Sequence, residues 1–296
     1  MRVFEKIKKE GLIFDGGMGS MLIDQGLQGG EAPELWNLTH PDRIQKIHQA
    51  YFDAGADIVS ANTFGASASK LSKMGVTQSM EDINRAGVRL AREASSEGQF
   101  VAADFGSLGE MLEPTGAFSE SEAKAEFTRQ AAILEDEGVD LFIIETVFDL
   151  NLGVCAIQAI RNVSDIPIVC SMTFQQTPRG FFTIFGNSPE KCMERLVEAG
   201  AWAVGANCSQ GSGAMVELAA KIRKSVDVPV VIQPNAGNPE RTPHGGVAYP
   251  ENESYFADNM KRIRALGVEI IGGCCGTTPA YIKAIKETLS TAFEII

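Results

Sequence analysis

Val268-Glu269-Ile270-Ile271-Gly272-Gly273-Cys274-Cys275-Gly276-Thr277-Thr278-Pro279 reads as one complete strand-to-helix unit. The short apolar run suits a strand buried on both faces. Thr278-Pro279 reads as a helix cap followed by proline at the first helical position. Two adjacent cysteines stand between strand and helix. Neighbours on a regular strand point to opposite faces, so such a pair is a poor structural choice. The flanking glycines permit a bend that aims both sulfurs at one point.

Seven further runs of this kind precede it. They are Leu12-Ile13-Phe14-Asp15, Asp57-Ile58-Val59-Ser60-Ala61-Asn62, Phe100-Val101-Ala102-Ala103-Asp104, Leu141-Phe142-Ile143-Ile144-Glu145, Pro167-Ile168-Val169-Cys170-Ser171-Met172, Ala203-Val204-Gly205-Ala206-Asn207-Cys208 and Pro229-Val230-Val231-Ile232-Gln233. Helical patterns lie between them. Residues 41–54 place Ile44, Ile47, Tyr51 and Phe52 on one face, the spacing of an amphipathic helix. Ser119 with Glu122 forms a capping box, and Ser188-Pro189 opens another helix. Gly55, Gly138, Gly200 and Gly267 close helices before the next strand. Eight such repeats predict an α/β fold, a single (β/α)8 TIM barrel. An open doubly wound sheet is the other arrangement that the alternation permits. No linker or low-complexity segment divides the chain, so residues 1–296 read as one domain.

In a barrel the active site lies at the C-terminal ends of the strands. Polar residues gather there: Asp15, Asn62 and Thr63, Asp104, Glu145 and Thr146, Thr173, Asn207 and Cys208, Asn235, Cys274 and Cys275. Each taken alone is equally a loop cap or a turn residue. Three thiolates from Cys208, Cys274 and Cys275 would hold Zn²⁺ and leave its fourth position open, the mark of a catalytic zinc. A vicinal disulfide at Cys274-Cys275 is the competing reading, and free cysteine is often a small buried hydrophobe. The latter describes Cys155, Cys170 and Cys192.

Composition narrows the class. The chain has 296 residues, 44% hydrophobic, with six cysteines and a formal charge of −12. The charge argues against a nucleic-acid surface. No stretch approaches the ~20 apolar residues of a membrane span, and the N-terminus lacks the apolar core of a signal peptide. The expected location is the cytoplasm, where cysteines point to metal or catalysis rather than disulfides.

Five segments in order carry a family resemblance: Asp15-Gly16-Gly17-Met18-Gly19, Asn62-Thr63-Phe64-Gly65-Ala66, Gly205-Ala206-Asn207-Cys208-Ser209, Gln233-Pro234-Asn235-Ala236-Gly237 and the Gly-Gly-Cys-Cys segment above. The chain resembles the homocysteine S-methyltransferase family over roughly residues 8–290, and most of all the homocysteine-binding barrel of cobalamin-dependent methionine synthase. The resemblance implies a zinc enzyme that methylates homocysteine to methionine. It implies Cys208, Cys274 and Cys275 as zinc ligands, with the homocysteine thiolate in the fourth position. It implies Asp15 and Glu145 as holders of the substrate's amino group. The backbone amides of Gly16-Gly17-Met18 would receive its carboxylate, Asn62 would border the substrate, and Asn235 would stand beside the metal. The chemistry agrees: the thiolate is the nucleophile, and coordination to zinc deprotonates a thiol. Histidine is scarce, with only His40, His48 and His244. His40 is placed at a helix start, His48 inside a helix and His244 on a loop that could line the pocket.

The methyl donor is expected from outside the chain, which ends at Ile296 with no Asp-x-His-x-x-Gly corrinoid loop. Methylcobalamin on a separate corrinoid protein is the first expectation. S-methylmethionine or a betaine-type donor is the second. A quaternary ammonium would want an aromatic cage, for which Trp36 is the one candidate. The loops Phe105-Gly106-Ser107-Leu108-Gly109 and Phe181-Phe182-Thr183-Ile184-Phe185-Gly186 depart from the family pattern. A non-catalytic thiol protein, a metal buffer or redox sensor, is a third reading. It leaves the polar ring of Asp15, Glu145 and Asn235 without a purpose.

Overall fold

Strand pairing settles the architecture of this computed structural model, which describes residues 3–241 and 247–290. The barrel strands, counted first to eighth, are Leu12–Ile13, Ile58–Ser60, Phe100–Phe105, Leu141–Val147, Ile168–Met172, Ala203–Gly211, Val230–Asn235 and Ile270–Ile271. All pair in parallel with their neighbours along the chain, and the eighth pairs with the first. The seam between first and second closes through a Phe14–Ile58 bridge. Two backbone bonds flank it, from Asp57 N to Ile13 O (2.8 Å) and from Asp15 N to Ile58 O (3.1 Å). This is the expected (β/α)8 barrel rather than an open sheet.

The apolar runs make the barrel because both faces of each strand are buried. One face fills the interior with Leu12, Phe14, Ile58, Phe100, Leu141, Ile143, Val169, Val231 and Ile270. The other packs under the helices, among them Ile44, Ile47, Tyr51 and Phe52 of Pro41–Asp53. Each fully buried aliphatic side chain contributes about 1.5–3 kcal/mol. Helix Val3–Glu10 lays Val3 and Ile7 against the interior cluster and so plugs the N-terminal end of the barrel. The opposite end remains for a site.

Local signals hold at most helix ends. Ser119 and Glu122 form the capping box, and the Ser188 side chain caps Pro189–Glu198. Gly55, Gly138, Gly200 and Gly267 all have positive φ, as helix-ending glycines do. His40 is different. It occupies the N-cap position of Pro41–Asp53 but makes no side-chain cap bond, its ring instead meeting Thr39 Oγ1 at 2.9 Å. Two antiparallel hairpins were not expected: Gln175–Thr177 with Gly180–Phe182, and Glu240–Arg241 with Val247–Ala248. Among the described residues, no helix is long and apolar enough to cross a membrane.

His48 carries a stability prediction. It is fully buried, neither ring nitrogen has a protein partner, and burial lowers its pKa to about 3. The unfolded chain takes up this proton near pH 6.5, while the folded chain does not. Stability is therefore present above 6.5 and falls as pH drops toward 3, by about 1.4 kcal/mol per pH unit. Between pH 7 and pH 5, urea unfolding of the wild type should lose about 2 kcal/mol more than that of His48→Leu. Equal losses would show that this imidazole is not what titrates.

Candidate active site

The period of two that fills the barrel also builds the site. Side chains at i, i+2 and i+4 of a strand share a face. On the third strand the inward series Phe100, Ala102 continues to Asp104. On the fourth, Leu141 and Ile143 lead to Glu145. On the sixth, Ala203 and Gly205 lead to Asn207, and on the seventh Val231 leads to Gln233 and Asn235. The apolar layer thus gives way to a polar one at the C-terminal end.

Two residues reach the site by breaking that period. Cys208 follows an inward residue and would face the helices on a regular strand. Its φ of 57°, with 56° at Ser209, turns it back. Thr146 has φ 56° directly after Glu145. Sheet register shifts at both places, between Ile144 and Val147 and between Asn207 and Gly211. The left-handed region costs an L-residue roughly 1–2 kcal/mol, and such strain is typical of functional positions.

The Cys274-Cys275 loop is fixed by its backbone. Cys274 N donates to Pro234 O (2.8 Å), and Ala236 N donates to Cys275 O (3.0 Å). Cys274 O accepts Thr277 N (3.1 Å) and Thr277 Oγ1 (2.6 Å). A Cβ at Gly273 would sit 2.2 Å from Thr277 Oγ1, so the turn admits only glycine there. The sulfurs of Cys208, Cys274 and Cys275 lie within 4.8 Å of one another, with Cys208 and Cys275 at 4.0 Å. The three could hold a metal ion. Contacts from the other two thiols hold Cys208 down to about 3, helped by the Asn235 amide. Contact with Cys208 in turn pushes Cys274 up, and Cys275 up to about 12.

Asn207 ties this cluster to a carboxylate. It is fully buried. Its Nδ2 donates to Glu145 Oε2 (3.3 Å), Thr146 Oγ1 (2.9 Å) and Cys274 Sγ (3.8 Å). Its Oδ1 accepts Thr146 N (2.8 Å) and Ser171 Oγ (2.7 Å).

A cavity of about 380 Å³ opens above these groups. Asp15, Glu34, Asp104 and Glu145 line it with the three cysteines, and no lysine, arginine or histidine does among the described residues. Burial raises the pKa of all four carboxyls, Glu145 to about 7 with the Cys208 charge adding to the effect. Asp15 Oδ2 accepts Ser60 N at 2.9 Å. Glu34 Oε1 accepts Gly65 N at 2.6 Å. Glu34 Oε2, Asp104 Oδ1 and Gln233 Oε1 are buried with no hydrogen-bond partner in the protein. The wall is strongly acidic and suits a cationic ligand.

Most of the expected residues come together. Asp15, Gly16, Gly17, Met18, Asn62, Glu145, Cys208, Cys274 and Cys275 border this one cavity, while the buried Asn235 is not among its lining residues and its side chain meets Cys208 instead. The Gly16-Gly17-Met18 turn does not offer all its amides, because Gly17 N already donates to Thr277 O at 3.0 Å. The Asn62 side-chain amide is spent on Pro33 O and Asn37 Oδ1, both at 2.9 Å. Trp36 forms no cage: it is buried beside His40 and Arg43. His244 lies outside the described residues. Glu34, Ser60, Phe64, Gln233 and Tyr249 line the cavity without having been singled out. Ser60 and Gln233 were reachable by continuing the alternation from Ile58 and Val231.

Comparison with known proteins adds identity to geometry. The sequence profile of the homocysteine S-methyltransferase family matches residues 12–289. Methionine synthase of Mycobacterium leprae is 28% identical over 308 aligned positions, covering 97% of this chain and 25% of that protein. Methionine synthase of Mycobacterium tuberculosis is 28% identical over 299 positions, covering 94% and 24%. The chain thus spans about a quarter of the length of these relatives. The metallated form of homocysteine methyltransferase MmuM from Escherichia coli matches in fold with a TM-score of 0.78 at 20% identity, over 96% of this chain and 98% of that one. The carboxyl transferase domain of Rhizobium etli pyruvate carboxylase reaches 0.55 at 13% identity, covering 98% of this chain and 48% of that one. These two likenesses speak to the fold alone. The profile match extends across nearly all of the barrel and both cysteine segments, and the chain belongs to the homocysteine S-methyltransferase family.

Proposed function

We propose that residues 1–296 act as one homocysteine-binding barrel domain, a zinc-dependent S-methyltransferase that converts homocysteine to methionine. The observation that carries this reading is the convergence of three thiols beside four buried carboxylates at one barrel mouth. Tetrahedral zinc with sulfur at about 2.3 Å needs its sulfurs about 3.8 Å apart. The 4.0 Å between Cys208 and Cys275 is close to that. Soft thiolate donors favour zinc over hard cations. Cys208, Cys274 and Cys275 would hold the ion, and Asn235 would support Cys208 from behind. A bound Zn²⁺ supplies the Lewis acidity that keeps an incoming thiol deprotonated at neutral pH.

The protein's own residues bind and orient the amino acid. Asp15 and Glu145 take its ammonium, and the free amides at the Met18 end of the first loop take its carboxylate. No general base is required of either carboxyl, because the thiol arrives at the reaction as thiolate. The acceptor sulfur forms a bond to the methyl carbon while the methyl–donor bond breaks, and the electron pair stays with the donor.

For the donor we favour methylcobalamin presented by a corrinoid protein. The likeness to two methionine synthases supports it. So do apolar side chains exposed on the segments that follow the first, fifth and seventh strands: Ile23, Ile184, Phe185 and Val247. Such residues around a mouth suit a docking protein. Betaine is disfavoured because Phe64 and Tyr249 are the only rings lining the cavity among the described residues. The test is zinc quantification on purified protein, followed by methyl transfer to homocysteine from methylcobalamin, S-methylmethionine and betaine in parallel. Turnover with methylcobalamin is expected. Turnover with S-methylmethionine alone would reverse the donor, and no methionine from any of them would overturn the activity.

A further inference from the structure

We infer that Asp104 is a specificity-determining residue: a third carboxylate for the ammonium of the acceptor, which makes the pocket select amino thiols over thiols lacking the amino group. The inference rests on homocysteine being the acceptor. It begins with placement. Asp104 occupies the same inward layer as Glu145, one strand over, with Asp104 paired to Ile143 and Glu145 two residues beyond. Its backbone is clamped on both sides by one hydroxyl, since Asp104 N donates to Thr63 Oγ1 (3.0 Å) and Thr63 Oγ1 donates to Asp104 O (2.9 Å). The residue is therefore held in place at the cavity wall.

The second observation is what that side chain lacks. Asp104 is 6% exposed, lines the cavity, and its Oδ1 has no hydrogen-bond partner in the protein. A buried acceptor left unpaired is costly, and native proteins rarely leave one without a reason. The negative groups that act on it most are Glu145 and then Asp15, the two carboxyls assigned to the substrate's ammonium. An ammonium has three N–H donors and no acceptor. Asp15, Glu145 and Asp104 offer one carboxylate for each. Glu34 differs in having Gly65 N as a partner of its own, while Lys70 offsets part of the charge of both Glu34 and Asp104.

Calorimetric titration of the zinc-loaded protein separates this from a structural role. The ligands are homocysteine and 4-mercaptobutanoate, which keeps the thiol and carboxylate but lacks the amino group. Asp104→Asn should weaken homocysteine by about 10- to 100-fold, the loss of one charge-assisted hydrogen bond. It should leave 4-mercaptobutanoate within about twofold, which also shows that the variant is folded and metal-loaded. Unchanged homocysteine affinity, or equal loss for both thiols, overturns the inference. Absence of homocysteine binding to the wild type overturns the acceptor assignment itself, and this inference with it.

Discussion

Cys274→Ala should emerge from purification with little zinc and no measurable methyl transfer. Losing a partner outside the coordination sphere already costs about 10–100-fold in metal affinity, and removing a ligand should cost more than that. The remaining pair, Cys208 and Cys275, keep their 4.0 Å contact but offer only two sulfurs. Cys155→Ala, Cys170→Ala and Cys192→Ala provide the contrast. All three native side chains are buried in the layer under the helices, so their loss should lower stability and leave metal content intact. Metal analysis of the four variants decides the matter. Full zinc occupancy in Cys274→Ala would remove that residue from the ligand set.

Glu145→Gln should retain zinc yet bind homocysteine about 10–100-fold more weakly, the magnitude of a buried hydrogen bond to a charged group. The amide keeps the shape but presents no charge to an ammonium. Asn207 Nδ2 reaches Glu145 Oε2 at 3.3 Å, so the glutamine carbonyl oxygen can still accept from it and the local packing is conserved. Metal content and homocysteine affinity therefore separate in this variant, whereas in Cys274→Ala they fall together. An unchanged affinity would show that the ammonium lies elsewhere.

Much of this was legible in the chain because parallel barrel strands are buried on both faces. Runs such as Leu141-Phe142-Ile143-Ile144 can be little else when they recur between helical patterns. The polar residue that ends each run marks where apolar packing stops. The paired cysteines were legible because no ordinary strand has a use for them. Other parts were not. Glu34 sits on a single helical turn, Pro33–Leu35, and reaches the cavity through a fold-dependent contact with Gly65. Tyr249 directly follows the two-residue strand Val247–Ala248, with no periodic pattern to place it. The two hairpins are short and largely exposed, so they lack the apolar alternation that announces a strand. The backbone turns at Thr146 and Cys208 carried no glycine to mark them.

Those two turns have a consequence for anyone who would improve the protein. At φ near 57° a glycine would relax the chain at either position. A selection for heat tolerance would therefore be drawn to them, and each substitution would look like a success on a melting curve. Glycine at 146 would keep the backbone N–H that Asn207 Oδ1 accepts but lose the hydroxyl that Asn207 Nδ2 reaches, and glycine at 208 would remove one of the three sulfurs. The hardier protein would have given up side chains that shape the cavity, so thermal robustness and the geometry of the candidate site trade against each other at these two residues.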